Sequence, residues 1–233
     1  MIKFENTEVF NFEGAIRGMR NPLNSWDKSD SFECDGEGCY YEDCPHWVKR
    51  PECEGYCEFD SNTDYIIGEN DLALMKKLIR AGSDHRKFMR QILVSVDITA
   101  PLYWWKEFDT YKVATVSNSC STMHKIHDKE FTLDDFSYEH LSETNLIVFN
   151  ITINALNNAR LDYLNTKDKR YWWDMIQLLP SSYNQRRTIT LNYETLYNIY
   201  GSRRNHKLDE WSIGFMDWIK SLPYANELII ERG

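Results

Sequence analysis

An alternating run that ends at a proline is the feature that most constrains this chain. Every second position in residues 92–99 is apolar, and the positions between them are mostly polar: Ile92, Val94, Val96 and Ile98 alternate with Leu93, Ser95, Asp97 and Thr99. Because successive side chains of a strand point to opposite faces, this pattern predicts a strand with one apolar face. Ala100-Pro101 ends the run, since proline cannot donate a ladder hydrogen bond.

Most of the remaining apolar pattern is helical. Asn70 and Gly82 bracket a helix whose apolar residues recur at helical spacing: Leu74, Met75, Leu78 and Ile79. The aromatic stretch after Pro101 also looks helical. Further helices are predicted over 145–164, 168–179, 193–200 and 208–222, and a short β-prone stretch over 188–191. In the first of these, one side should carry Leu146, Phe149, Ile153, Leu156 and Leu161. The sequence therefore predicts a single α+β (or α/β) domain over residues 1–233.

Residues 33–60, the Cys-rich insert, differ from the rest of the chain. The insert has five cysteines, nine acidic residues and almost no aliphatic ones, so it cannot bury a core of its own. Thiolates and an imidazole at short spacings suit tetrahedral zinc, which would order such a segment. Without a Cys-x-x-Cys pair, free thiols in an acidic loop remain an equal alternative. We expect a structural zinc, if any, at four of six residues: Cys34, Cys39, Cys44, His46, Cys53 and Cys57.

The charge balance excludes some partners. The chain has 27 basic and 36 acidic residues, a formal net charge of −9, which should repel nucleic acids and anionic membranes. No apolar run approaches the roughly 18 residues of a transmembrane helix. Residues 1–12 lack the basic-then-apolar order of a signal peptide. We therefore expect a cytoplasmic protein, with cysteines as thiols or metal ligands rather than disulfides. Dinucleotide-fingerprint, P-loop, zincin and nucleophile-elbow motifs are absent from the sequence.

The order of motifs along residues 64–220 resembles that of the flavin-dependent thymidylate synthases. The first part comprises His85-Arg-Lys-Phe88, the alternating strand, Ala100-Pro101, the aromatic helix, Thr110-Tyr-Lys112 and Asn118-Ser-Cys-Ser-Thr-Met123. The second part comprises Leu179-Pro180, Thr188-Ile-Thr-Leu-Asn192, Leu196, Asn198, Arg203 and Glu210-Trp211. The insert lies outside the resemblance. The family's Arg-His-Arg signature is Thr110-Tyr-Lys112 here, Met123 replaces the Arg of its Asn-Glu-x-Ser-x-Arg loop, and Glu194 replaces an Arg of its C-terminal motif.

The resemblance implies a fold, a reaction and a site. The fold is an antiparallel sheet flanked by a helical bundle, in a homotetramer. The reaction is reductive methylation of dUMP to dTMP with FAD, methylene-tetrahydrofolate and NADPH. By the family pattern, dUMP would contact Asn118, Ser121 and Arg203, and FAD would contact His85, Lys112, Asn192 and Asn198. The family reaction uses no enzyme nucleophile, and the catalytic residues stay unassigned.

The altered signature leaves three functions open. The first is the family reaction, with Arg90, Arg186, Arg187 and Arg204 as spare cations that could replace the lost ones. The second is changed chemistry on a pyrimidine nucleotide, such as hydroxymethylation without hydride transfer. The third is an inactive nucleotide-binding or scaffold protein. Three of the predicted site residues also have a structural alternative: Asn192 and Asn198 could cap and pack a helix, and His85 could simply belong to a turn.

Overall fold

The computed structural model of the chain describes residues 2–33, 47–48, 56–57 and 65–231. The strands are β1 (Lys3–Phe10), β2 (Phe32–Glu33), β3 (Trp47–Val48), β4 (Tyr56–Cys57), β5 (Tyr65–Ile66), β6 (Leu93–Pro101), β7 (Val116–Ser119) and β8 (Asn184–Asn192). The α-helices are α1 (Phe12–Arg20), α2 (Glu69–Arg80), α3 (Leu102–Phe108), α4 (Glu143–Thr166), α5 (Lys169–Leu178), α6 (Tyr193–Arg203) and α7 (Met216–Lys220). Short 3₁₀ helices include Arg86–Arg90, and π-helical segments cover Glu210–Phe215 and Asn226–Ile230.

One sheet has four strands in the order β1-β6-β8-β7. β7 and β8 are antiparallel, with Asn118 opposite Thr188. Two further pairs, β2 with β5 and β3 with β4, are two-residue antiparallel ladders. The predicted mixed α+β class with an antiparallel sheet is thus confirmed.

The chain forms two compact units. Unit 1 comprises Met1–Thr7, Ser95–Thr190 and Arg203–Met216, and unit 2 comprises Glu8–Val94, Leu191–Ser202 and Asp217–Gly233. None of the helices in the described part of the chain combines the length and the apolar character needed to cross a lipid bilayer.

Unit 1 is built around aromatic side chains. The rings of Trp104 and Trp211 are fully buried, with centroids 4.5 Å apart, and Phe108 and Phe215 pack around them. A second cluster packs α4 against α5 and the segment before α4: Ile126, Phe131, Phe136, Ile153, Leu156, Ala159 and Met175. Burying such large apolar surfaces is the main stabilising term in folding.

Unit 2 is held by a buried ion pair as well as by apolar packing. Arg20 Nε donates to Asp71 Oδ1, and both side chains are almost completely buried. Burial raises the pKa of Asp71, but hydrogen bonds from Ser31, Ser29 and Arg20 outweigh this and lower it below its usual value. Ser29 and Ser31 lie just before the Cys-rich insert. Because both donate to Asp71 of the ion pair, the pair holds this part of the chain in place.

Several sequence predictions need correction. α2 begins at Glu69 with Gly68 as its N-cap, and the carboxylate of Asp30, rather than Asn70, accepts from its first N–H groups. Leu161 is 51 % exposed, so the apolar side of α4 is shorter than predicted. The region 208–222 is a π-helical segment followed by α7, not one α-helix.

Two features were not predicted, and one prediction is untested. β1 is a strand in an N-terminal segment for which no strand was predicted, and β8 extends the β-prone stretch to Asn184–Asn192. The zinc hypothesis falls on side chains of the insert that lie outside the described residues. Among the described residues, no group of three or more His, Cys, Asp or Glu is arranged to hold a metal.

Candidate functional site

The strand residues that belong to unit 1 present a polar face next to a cavity. Along β8, Asn184, Arg186 and Thr188 occupy alternate positions, and Asp97 and Thr99 do so along β6. Their apolar neighbours in the strands, such as Val96, Ile98 and Ile189, are fully buried on the opposite side. The period of two in these strands therefore separates a core face from a face available to a ligand.

A cavity of about 600 Å³ adjoins this polar face. Its lining combines hydroxyl, amide, aromatic and charged groups: Lys3, Thr99, Cys120, Ser121, Thr122, Lys129, Asp134, Asp135, Phe136, Tyr138, Glu139, Tyr183, Asn184, Gln185 and Arg186. Ligand pockets in proteins are typically of this size and carry a few converging polar groups. The cavity is large enough for a nucleoside monophosphate.

Asp97 organises the polar face beside the cavity. Its carboxylate accepts hydrogen bonds from Thr188 Oγ1 at 2.5 Å, Arg186 Nη2 at 2.8 Å and Asn6 Nδ2 at 2.8 Å. These hydrogen bonds, the one from Thr188 first, lower the pKa of Asp97 to about 2. Arg186 also lies 3.3 Å from Glu5. Its guanidinium is therefore fixed in place by two carboxylates at the edge of the cavity.

The loop after β7 places Ser121 in the cavity wall with a usable hydroxyl. Ser121 Oγ accepts from the N–H groups of His124 at 2.8 Å and Met123 at 3.3 Å. The loop is anchored by Gln185, whose Nε2 donates to the carbonyl of Cys120 at 2.7 Å. Because these contacts use the lone pairs of Ser121, its O–H proton is left to donate to a ligand oxygen.

Cations and carboxylates are balanced in the cavity wall. Lys129 pairs with Asp135, which raises the pKa of the lysine. Burial raises the pKa of Tyr183, which therefore stays neutral. Lys3 is exposed and has no carboxylate partner among the residues that the structure describes. Its ammonium is thus the lining cation most available to an anionic group.

The residues at the altered signature bind one another. Arg203 donates through Nε to the hydroxyl of Tyr111 at 2.8 Å, and its Nη1 lies 3.1 Å from Glu107 Oε2. His206 Nε2 lies 3.2 Å from the same carboxylate oxygen, and its Nδ1 accepts from the N–H of Leu208. Arg203, predicted to contact dUMP, is therefore held by Glu107 and Tyr111 and does not line the cavity.

The other two residues predicted for dUMP differ in position. Ser121 lines the cavity, whereas Asn118 lies within β7, is exposed, and does not line it. Lys112, predicted for FAD, is exposed in unit 1 without a side-chain partner among the described residues. The remaining FAD predictions fall in unit 2.

In unit 2, a glutamate of α6 binds two arginines. Glu194 accepts from Arg86 Nε at 3.1 Å and from Arg90 Nε and Nη2. Burial raises the pKa of Glu194, but the hydrogen bonds from Arg90 and Arg86 outweigh this and lower it. Arg86 also lies over the ring of Tyr197, 4.4 Å from its centroid. We call Arg86, Arg90 and Glu194 the α6 cluster.

The predicted FAD residues of unit 2 have different surroundings. Asn192 is 3 % exposed, and its Oδ1 caps α6 by accepting from Thr195 N–H and Oγ1. Asn198 is exposed, with Arg86 Nη2 at 3.5 Å from its Oδ1. His85 is exposed at the start of the 3₁₀ helix Arg86–Arg90. Asn192 thus has the capping role, while Asn198 and His85 remain accessible.

The hydrogen-bond donors of the α6 cluster suit an anionic cofactor, but Glu194 already occupies some of them. The two guanidiniums of the α6 cluster share one carboxylate, so a positive charge is left over beside exposed His85 and Lys87. A diphosphate could bind there by charge-assisted hydrogen bonds. Glu194 competes for the same donors, so the fit is weaker than for two free arginines.

Most of the spare cations prove to be engaged. Arg90, Arg186 and Arg187 each pair with a carboxylate, those of Glu194, Asp97 and Asp109 respectively. Arg204 is exposed without a side-chain partner among the described residues.

Sequence reasoning missed part of the site. Lys3, Thr99, Lys129 and Asn184 line the cavity but were not predicted. A signal existed for Thr99, which lies on the polar side of the predicted strand. Lys3 is distant in sequence from every motif of the resemblance, and Lys129 follows the Asn118–Met123 motif without belonging to any motif, so no pattern marked either residue.

The chain resembles known proteins in its structure but not in its sequence. No family model matches the sequence, and none of the curated proteins does. The crystal structure of thymidylate synthase X (ThyX) from Helicobacter pylori with FAD and dUMP matches with a TM-score of 0.62 at 15 % identity, over 100 % of this chain and 99 % of that chain. A second structure, flavin-dependent thymidylate synthase ThyX from Helicobacter pylori complexed with FAD and dUMP, gives a TM-score of 0.61 at 16 % identity, over 97 % and 98 %. The chain has the fold of the flavin-dependent thymidylate synthases.

Proposed function

We propose that this protein binds dUMP in the cavity of unit 1 and methylates it to dTMP, with FAD, methylene-tetrahydrofolate and NADPH. The observation that carries the proposal is the cavity on the polar sheet face, with the hydroxyl of Ser121 in its wall. The two similar structures, both complexes with FAD and dUMP, support it.

The residues of the cavity suit the two ends of a nucleotide. The Ser121 hydroxyl and the Lys3 ammonium can bind phosphate oxygens, one by a charge-assisted hydrogen bond and one mainly by charge. Arg186, fixed by Asp97 and Glu5, offers its remaining N–H groups to an oxygen of the ligand. The partly exposed ring of Tyr138 provides flat apolar surface for a base.

His85 and Asn198 of unit 2, together with the outer edges of Arg86 and Arg90, would hold FAD. A reduced flavin bound there would supply the hydride needed to convert the methylene from the folate to the methyl group of dTMP. The protein's own task is to bind the nucleotide and to exclude water from it. Because the hydrogen-bond donors of the cavity are already fixed, they bind the nucleotide with little reorganisation of the protein during the reaction.

We further propose that the protein is a homo-oligomer, a tetramer as the family resemblance implies, with α4 in the interface. Residues 144–159 contain no charged side chain. Ile147, Val148 and Ile151 of this stretch are each about 60 % exposed. A face without charges can meet a second copy of itself without repulsion between like charges. Light scattering of the wild type and of Ile151→Glu tests this: the wild type should be an oligomer and the variant a smaller species.

The activity is tested by release of tritium from dUMP labelled at C5. Purified protein is incubated with FAD, NADPH and methylene-tetrahydrofolate, and the release is compared with a reaction lacking folate. Folate-dependent release with formation of dTMP supports the proposal. Binding of dUMP and FAD without any release would contradict the proposed reaction.

One observation favours a second function: Arg86 and Arg90 both donate hydrogen bonds to the carboxylate of Glu194. If this prevents FAD from binding, the protein would bind the nucleotide without hydride transfer, either to hydroxymethylate it or as an inactive homologue. The absorption spectrum separates the two functions. Flavin bands in isolated or FAD-loaded protein support the first, whereas protein that stays colourless after loading supports the second.

A further inference from the structure

We infer that Asn184 selects the base by donating a hydrogen bond to the 4-oxo group of uracil or thymine, and thereby rejects cytosine. This inference rests on the proposed nucleotide site and adds to it a residue that reads the base. It follows from the position of Asn184 in the fold and from the use of its amide oxygen.

Asn184 is the first residue of β8 and lines the cavity on the same face as Arg186. Ser137 Oγ donates to Asn184 Oδ1 at 2.9 Å. Ser137 is only 8 % exposed, and its N–H donates to the carbonyl of Ser182 at 2.9 Å. Because Ser137 is fixed in this way, the amide oxygen is held towards it and the amide nitrogen is the end left for a ligand.

The other carboxamide in the cavity wall is already in use at both ends. Gln185 Nε2 donates to the carbonyl of Cys120, and its Oε1 accepts from Arg187 Nε at 2.9 Å. Among the lining residues that the structure describes, Asn184 is therefore the carboxamide with an N–H₂ group still to satisfy. A carboxamide nitrogen can only donate.

This donor distinguishes the pyrimidines by their 4-substituent. Uracil and thymine carry an oxygen there, which accepts a hydrogen bond, whereas cytosine carries an amino group, which donates. With cytosine, two donors would face each other and both would lose a partner. A site built around a hydrogen bond rejects an analogue that cannot make it, because its polar group is left unpaired. Discrimination of about 5- to 150-fold is expected from one such contact.

The test is calorimetric titration of dUMP, dTMP and dCMP into wild type, Asn184→Asp and Ser137→Ala. The wild type should bind dUMP and dTMP at least fivefold more tightly than dCMP. Asn184→Asp replaces the donor by an acceptor of the same shape and should reverse the preference towards dCMP. Ser137→Ala frees the amide to rotate, so it should bring the dUMP-to-dCMP ratio towards one with less effect on the affinity itself.

Asn205→Asp is the matched control, because Asn205 is exposed in unit 1 and does not line the cavity. It should keep the wild-type preference. If the wild type binds dUMP but Asn184→Asp and Ser137→Ala keep its preference, or if the wild type binds dCMP equally well, the inference is overturned while the nucleotide site stands. If the wild type binds none of the three nucleotides, the proposed function fails and this inference with it.

Discussion

The cavity of unit 1 and the α6 cluster of unit 2 both gather polar and charged side chains, but they use them differently. In the cavity, Ser121 and Asn184 satisfy their acceptor atoms within the protein and leave donors free. In the α6 cluster, the donors of Arg86 and Arg90 are taken by Glu194. The first arrangement is open to an anionic or oxo ligand, whereas the second already contains its own anion. The donors of the cavity are therefore better placed to bind an anionic or oxo ligand than the donors of the α6 cluster.

The largest expected effect is on the cavity. Ser121→Ala removes a donor to a charged phosphate, which should weaken dUMP binding roughly 10- to 150-fold. Ser119→Ala is the control, because Ser119 is exposed in β7 and does not line the cavity. Isothermal titration calorimetry measures both. Equal affinities in the two variants would remove Ser121 from the site and weaken the contrast between the regions.

Glu194→Gln tests whether the carboxylate of the α6 cluster competes with an anionic cofactor. Removing the carboxylate charge should leave Arg86 and Arg90 more available, so we expect roughly tenfold tighter FAD binding. Quenching of flavin fluorescence reports the affinity, and the melting temperature checks that the variant folds. Unchanged or weaker FAD binding by a folded variant would mean that Glu194 does not compete with the cofactor.

A smaller effect is expected at Lys3. Lys3 is a surface charge without a carboxylate partner among the described residues. Its removal in Lys3→Met should weaken dUMP binding about three- to tenfold at low salt. The loss should shrink as ionic strength rises, because surface charges are screened. Lys87→Met, on the 3₁₀ helix of unit 2, is the matched control. A salt-independent loss, or an equal loss in the control, would contradict a phosphate contact at Lys3.

The smallest effect concerns acid stability. The pKa of Asp97 is about 2 when folded, below its usual value of about 3.9, so the folded state binds its proton less readily than the unfolded one. Its stabilising contribution, about 1 kcal/mol, is therefore complete above about pH 5 and is lost as pH falls from about 4 to 2. Urea unfolding of wild type and Asp97→Asn at pH 7 and pH 3 measures this. A difference between them that stays constant with pH would contradict the assignment.

The sequence predicted the elements better than the site. β6, α2 and α4 follow from apolar periodicity, because burial of one face decides both the pattern and the packing. Ser121 was predicted from the resemblance and does line the cavity.

Arg203 shows why other site residues could not be placed. Its position in a motif says nothing about partners elsewhere in the chain, and Glu107 engages it. For Asn192 the structure selects the capping alternative, with Thr195 three residues further on as its partner. Asn184 was missed because its role depends on Ser137, a residue 47 positions away in the sequence.

The most direct test of the central claim, that the cavity of unit 1 is the nucleotide site, uses Cys120. This thiol is exposed and lines the cavity beside Ser121. Its rate of alkylation by iodoacetamide is followed by peptide mass spectrometry with and without saturating dUMP, and with inorganic phosphate as the control. We expect dUMP to slow alkylation at Cys120 at least tenfold while phosphate has little effect. An unchanged rate at dUMP concentrations that saturate binding would place the nucleotide elsewhere and contradict the account.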